Sequence, residues 1–239
     1  MENRIEVVVA NATVRATQAK DIPKLTSEIG PIKIAAADLF RFRFGIFKEK
    51  LGWDVPTSQD QFEVDEYDGP QATYLMARSQ ARIIGCMRLL PTTSPYMLKD
   101  TFPQLLDGAA APVDPEIWEV SRFACVEQNA ELNAKLNHGG ISASSMALMQ
   151  SAIRIAIDKK LKGYVIVTTT SFERLLKRMG LDVARYGAAR HIGKELTVAF
   201  FLPINKKTIE AFLSPTHPWL QYPAYNISEA ALEPLSPNQ

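Results

Sequence analysis

At 239 residues, 46% hydrophobic and 22% charged, the chain can bury a sizeable core and fits one large domain or two small ones. Its formal net charge of +1 argues against nucleic-acid binding by bulk charge but leaves room for a local basic patch that meets an acidic partner. Cys86 and Cys125 lie in apolar, strand-like runs without Cys/His spacing for zinc, so both read as structural thiols of a cytoplasmic protein and no metal is expected.

Met1 leads into a short apolar run, not a secretory signal, and no run reaches membrane-spanning length. There is no repeat, P-loop or nucleotide-binding glycine fingerprint. Residues 1–30 read as an N-terminal arm in which Ile5 to Ala10 can form a strand and Gln18 to Gly30 is extended or a short helix. Beyond the arm no linker interrupts the chain, so one domain is expected over residues 31–213, ahead of a Pro-rich tail over 214–239.

From Ile34 to Leu51 the pattern is helical: Phe40, Phe44, Phe47 and Leu51 recur at spacings of four, three and four. Arg43 lies at the margin of that stripe, either snorkelling out or belonging to a lid. Gly52 ends the helix before Trp53. Glu63, Asp65, Glu66 and Asp68 then fall within six residues. Composition alone reads this as a solvated acidic turn; the alternative is a site for a cationic ligand, with Glu63, Asp65 and Tyr67 on one side.

Ala72 to Ser79 and Arg82 to Leu90 read as two strands joined by a turn, and Arg88 intrudes into the second. Tyr96 to Pro115 is loop with a helical turn. Ile117 to Val126 is the next strand, and it carries Glu119, Ser121 and Arg122 where a core strand should be apolar. Alternation puts Glu119, Ser121 and Phe123 on one face and Arg122 on the other, so Glu119 and Arg122 meet one pocket only if the strand bulges or splays.

Ile141 to Leu161 is a long amphipathic helix with Ser142 at its N-cap and Met149 and Ile157 among its buried residues. Tyr164 to Thr169 is a central strand, Ser171 to Met179 a helix capped by Ser171 and closed by Gly180, Lys194 to Leu202 a strand, and Asn205 to Leu213 a helix. This order fits an α/β/α sandwich with a mixed sheet. His138, His191 and His217 stand in or beside Gly- and Pro-containing segments and are set aside as catalytic candidates.

Four blocks together resemble the acyl-homoserine-lactone synthases, the autoinducer synthases of bacterial quorum sensing. They are Arg43-x-x-x-Phe47 with Trp53 beyond it, Glu63-x-Asp65-x-Tyr67-Asp68, Gly85-Cys86-Met87-Arg88-Leu89-Leu90-Pro91, and Trp118-Glu119-x-Ser121-Arg122-Phe123. They stand in the family's order, and the resemblance runs from about Leu39 to about Leu202. It implies a sheet whose strands splay into a V, similar to the GCN5-related N-acetyltransferases. It also implies S-adenosylmethionine as the amine substrate, an acyl carrier protein or acyl-CoA thioester as acyl donor, and no cofactor.

The chemistry suits these residue types. The donor's ammonium must lose a proton before it attacks, and Glu119, or failing it Asp65, is the candidate base. Arg88 would pair with Glu119 and orient it. Asp65 and Asp68 would attract the ammonium and sulfonium, Arg122 would hold the carboxylate, and Arg43, Phe47 and Trp53 would close over the donor. Ser121, Phe123, Met146, Met149, Thr168 and Leu175 are the candidate acyl-channel residues. A Thr168 hydroxyl can donate to a 3-oxo group or simply be a β-branched strand residue. Lys159, Lys160, Arg174, Lys177 and Arg178 form a solvated helix face or a docking surface for an acidic carrier protein. The rivals are an acyltransferase of the same architecture that acts on another amine and a non-catalytic ligand-binding homologue.

Overall fold

Alternating apolar residues and turn chemistry account for most elements of the computed structural model, which describes residues 5–11, 33–80, 82–126, 141–214, 226–229 and 231–233. Eleven strands are described: β1 (Ile5–Asn11), β2 (Lys33–Ala35), β3 (Thr73–Ser79), β4 (Arg82–Pro91), β5 (Ile117–Cys125), β6 (Gly163–Thr169), β7 (Ala184–Arg185), β8 (Arg190–Ile192), β9 (Glu195–Pro203), β10 (Asn226–Glu229) and β11 (Ala231–Glu233). The helices are α1 (Ala36–Arg43), α2 (Met97–Asp100), α3 (Ala143–Asp158), α4 (Thr170–Arg178) and α5 (Lys206–Leu213). One mixed sheet has the order β10-β1-β3-β4-β5-β6-β9-β7, with β8 also on β9, and β2 pairs with β11 separately.

The chain divides into two compact units, one of Met1–Arg88, Arg122–Leu148 and Ala224–Gln239, the other of Leu89–Ser121 and Met149–Pro223. In the first, β1 lies antiparallel to β3 and parallel to β10, and Val7 and Val8 are buried. The stretches expected as an arm and a tail therefore each supply strands. Gln18 to Gly30, His138 and His217 lie outside the described residues.

The first helix departs from its expected pattern. After α1 the chain continues from Phe44 to Lys50 in wider π-type turns, and Leu51 N–H bonds back to Ile46, five residues earlier. Each wider turn rotates the residues beyond it relative to an α-helix. Phe40 and Phe47 are buried as the stripe requires, but Leu51 is exposed.

In the second unit β6 runs antiparallel to β9 along its whole length. The parallel β5–β6 ladder covers only Ile117–Val120 against Gly163–Ile166. Both strands run on beyond it, so their pairing stops at Val120 and Ile166. Burial on both sides explains the apolar run of β6.

Ser142 caps α3 as expected, its Oγ accepting from Ser145 N–H at 3.2 Å. Ile157, expected on the buried face of α3, is exposed near its C-terminal end. The N-cap of α4 is Thr169, not Ser171: its Oγ1 accepts from Phe172 N–H at 3.4 Å because the helix starts at Thr170. Gly180, at φ +84°, comes just after that helix as expected. Asn205 caps α5 through Thr208 N–H at 3.0 Å.

Gly163 opens β6 where a Cβ would lie 2.4 Å from the Phe201 ring and 2.5 Å from the Leu202 carbonyl oxygen. Gly45 has only the flexible end of Glu49 within reach, at 3.7 Å. In urea denaturation, Gly163→Ala should destabilise the protein by about 1–3 kcal/mol, since backbone must move. Gly45→Ala should be neutral or stabilise by up to about 1 kcal/mol.

Candidate active site

Three guanidiniums and three carboxylates meet in the first unit with almost no exposure to water. Arg43 comes from the end of α1, Arg88 from β4 and Arg122 from β5; Glu63, Asp65 and Asp68 come from the loop before β3. Their formal charges cancel. Arg43 donates from Nε to Glu63 and from Nη1 and Nη2 to the two oxygens of Asp68, at 2.7 and 2.9 Å. Arg88 donates to both oxygens of Asp65 and, at 2.8 Å, to Asp68 Oδ1. Arg122 Nη2 joins Glu63 at 2.8 Å and Asp65 at 2.7 Å.

The acidic loop is therefore not the solvated turn that its composition suggests. It is a turn, with Asp68 N–H donating to the Asp65 carbonyl at 3.1 Å, but it folds inward. Its side chains also cap its own backbone: Asp68 Oδ2 accepts from Asp65 N–H at 2.9 Å and Asp65 Oδ1 from Tyr67 N–H at 3.0 Å. Only Glu66 of the four acids faces water. Arg43 is buried rather than snorkelled for the same reason: its partners are inside.

Burial alone would raise the Asp68 carboxyl, but Arg43 and Arg88 outweigh it and hold it far below the usual range. Glu63 is lowered in the same way, against burial, by Arg43 and then Arg122. For Arg43 and Arg88 burial opposes the charge, and the facing carboxylates raise both above the usual arginine value. Tyr74 donates its hydroxyl to Asp68 Oδ1 at 2.7 Å, and burial, then Asp68, raises its phenol.

Aromatic rings border the cluster. Phe47 lies 5.4 Å from the Arg122 guanidinium and stacks on Trp53, with centroids 5.1 Å apart and planes at 22°. Trp53 is 43% exposed. The π-type turns support this arrangement, because Trp53 N–H bonds back to the Phe47 carbonyl at 2.8 Å.

Arg122 has φ +51°, a left-handed backbone inside a strand. For a residue with a Cβ this costs of the order of 1–2 kcal/mol. It interrupts the regular geometry of β5, on which Glu119 and Arg122 are both buried.

Arg88 and Glu119, expected to pair, each take further partners. The Asp65–Asp68 turn presents two carboxylates to Arg88, which takes both. Glu119 accepts the amides of Met97 and Leu98, at 3.0 and 2.7 Å, at the start of α2.

The remaining candidates are dispersed. Ser121, Phe123, Thr168 and Leu175 are half-buried, and Met146 and Met149 are buried. Thr168 pairs with Val198 across the β6–β9 ladder. Lys159 lies 5.1 Å from the Trp118 ring, and Lys160 is exposed at the end of α3. Arg174, Lys177 and Arg178 line an open groove with Ser171. Lys177 also reaches the buried Glu173, and Glu173 is held down to about 2 chiefly by hydrogen bonds from Arg185 and then Lys177. Among the described residues no group of His, Cys, Asp and Glu is placed to hold a metal ion, and His191 is an exposed residue of β8.

Glu63 has no role assigned from the sequence beyond its place in the acidic block, and Tyr74 has none. Glu63 carried a signal, its alternation with Asp65, but Tyr74 looked like any aromatic strand residue.

A model of the autoinducer synthase family matches residues 32–212. The chain belongs to the autoinducer synthase family. An acyl-homoserine-lactone synthase of Pseudomonas aeruginosa is 39% identical over 174 residues, 72% of this chain and 83% of that protein. One from Vibrio anguillarum is 41% identical over 171 residues, 70% of this chain and 86% of that protein. Among solved structures, the synthase LasI superposes with a TM-score of 0.70 at 32% identity, covering 89% of this chain and 96% of LasI. TofI, solved with an inhibitor and MTA, gives 0.65 at 29%, covering 87% and 96%. The four blocks read from the sequence all lie inside the matched residues.

The depressed carboxyls set the acid sensitivity of this family member. Their contribution to stability is complete above the unfolded carboxyl range, about pH 4, and is lost as pH falls toward the folded values. Thermal unfolding should be nearly flat from pH 8 to about 5.5 and fall steeply below about 4. Asp68→Asn, which leaves Arg43 and Arg88 short of an anion, should cost about 3–5 kcal/mol at pH 7 and make the acid limb shallower.

Proposed function

We propose that this autoinducer synthase transfers an acyl group from a thioester to the α-amine of S-adenosylmethionine and closes the lactone. The amine attacks the thioester carbonyl and expels a thiol. The methionine carboxylate then attacks its own γ-carbon, the carbon–sulfonium bond breaks, and neutral methylthioadenosine leaves. No cofactor enters this scheme. The observation that carries the reading is the charge-balanced cluster of buried arginines and acids, which matches a zwitterionic substrate. A P. aeruginosa relative bearing that activity in its name and the MTA held by TofI support it.

Buried ion pairs seldom add stability over apolar packing, so a six-membered cluster is best understood as positioning charge for a ligand. Arg122 and Asp65 are its most exposed members, at 8% and 6%. We assign Arg122 to the substrate carboxylate and the negative field of Asp65 and Asp68 to its ammonium. Arg43 and Arg88 hold the acids in place. Phe47 and Trp53 offer a ring surface for the adenine and cover for the sulfonium.

Asp65 is a poor choice of base, because Arg88, Arg122 and Tyr67 N–H already occupy its two oxygens. Glu119, positioned by the Met97 and Leu98 amides, takes the proton directly or through a water. Ser121, Phe123, Met146, Met149, Thr168 and Leu175 are assigned to the acyl chain. The donor is an acyl carrier protein or acyl-CoA. Lys159, Lys160, Arg174, Lys177 and Arg178 suit an acidic carrier. The cytoplasm is the proposed compartment, in keeping with two free thiols and the lack, among the described residues, of a helix long and apolar enough to cross a membrane.

Incubation with S-adenosylmethionine and a panel of acyl carrier and acyl-CoA thioesters, read by mass spectrometry, should give acyl-homoserine lactone and methylthioadenosine. Methylthioadenosine without lactone, or neither product with any donor, overturns the assignment. Glu119→Gln should lower kcat by about 10²–10⁴-fold while the KM for S-adenosylmethionine changes little. Charge reversal at Arg174 and Arg178 should raise the KM for an acyl carrier substrate and leave that for S-adenosylmethionine unchanged; an unmoved carrier KM excludes this face.

A further inference from the structure

Cys86 sits inside the motif block from Gly85 to Arg88, and its thiol has a defined partner on β5. Its Sγ donates to the carbonyl oxygen of Arg122 at 3.1 Å, well inside the distance for a thiol hydrogen bond. The contact joins residues 36 apart in sequence and is buried. Its acceptor belongs to the residue that carries the left-handed φ of +51°.

That backbone needs a restraint. A left-handed non-glycine residue persists only where its surroundings over-determine it. Arg122 is held at its guanidinium end by Glu63 and Asp65 and at its carbonyl end by Cys86. If the carbonyl turns, the backbone relaxes toward regular strand geometry, and the side chain is re-aimed away from Glu63 and Asp65.

We propose that Cys86 is a positioning residue of the synthase: its thiol clasps the Arg122 carbonyl and so keeps the Arg122 guanidinium aimed into the acid cluster. This rests on the reading of Arg122 as the residue that receives the substrate carboxylate. Burial pushes the Cys86 thiol up to about 12, so at neutral pH it is a protonated donor and not a nucleophile. Cys125, the other free cysteine, is an internal control: it is half-buried and lies on the Gly85 side, 2.7 Å from where a Gly85 Cβ would stand.

The test uses Cys86→Ala, Cys86→Ser and Cys125→Ala in the full chain. Cys86→Ala removes the donor, and Cys86→Ser keeps one. With S-adenosylmethionine varied at saturating acyl donor, Cys86→Ala should lose about tenfold or more in kcat/KM. Cys86→Ser should recover most of that loss, and Cys125→Ala should stay near wild type. A purely packing role would make the serine variant as poor as the alanine one, or let activity track melting temperature across all three; either result overturns the proposal. A second readout needs no turnover. In the Cys125→Ala protein the remaining S–H stretching band should lie below that of a free thiol in water, and an unshifted band excludes the clasp whatever the enzyme makes. If the wild-type protein makes no lactone while the band is shifted, the synthase reading fails and the Cys86–Arg122 bond stands.

Discussion

Removing three guanidiniums and three carboxylates from water is costly, and only their mutual contacts make it tolerable. That constraint organises the first unit. The loop from Glu63 to Asp68 has little apolar material of its own, yet it is buried because each inward acid meets an arginine from another element. One ion-pair network thus anchors the end of α1, the acidic loop, β4 and β5. Its members hold one another through direct hydrogen bonds, and preorganised charges of this kind suit the zwitterionic substrate we propose.

The same network explains an irregular strand. β5 accepts a left-handed residue at Arg122, and its ladder with β6 ends at Val120, two positions earlier. A regular strand would send Glu119 and Arg122 to opposite faces, and the left-handed backbone at Arg122 departs from that geometry. Glu119 then has a different task from the arginines, holding the start of α2 through two amides. The wider turns after α1 act in a similar way on the aromatic side. They leave Leu51 in solvent and bring Trp53 back onto Phe47. In both places a departure from ideal geometry positions a side chain, as is common at functional sites.

Local signals made much of this legible. The caps at Ser142 and Asn205, the Gly180 stop and the paired strands before Pro91 arise from residue chemistry that acts over a few positions. The cap of α4 was misplaced by two residues because Thr169 and Ser171 are both competent and only tertiary packing chooses between them. The acids from Glu63 to Asp68 mislead by composition, since charge density says nothing about whether partners wait inside. The carboxylates that Arg88 takes from the Asp65–Asp68 turn were hidden for a related reason, since they come from another element.

The sequence by itself determined the mixed α/β class, the family, and most of the arginines, acids and aromatics gathered in the cluster. It also raised the question of β5, since a regular strand turns Glu119 and Arg122 to opposite faces. Tertiary structure decided the partners: which acid each arginine takes, that Glu63 and Tyr74 belong to the cluster, and that the first and last described strands join the sheets. The physical reason is range. Helix periodicity, caps and strand alternation are set within a few residues, whereas a buried charge is neutralised by whichever opposite charge the fold brings within about 3 Å, and here those charges lie 20 to 59 residues away.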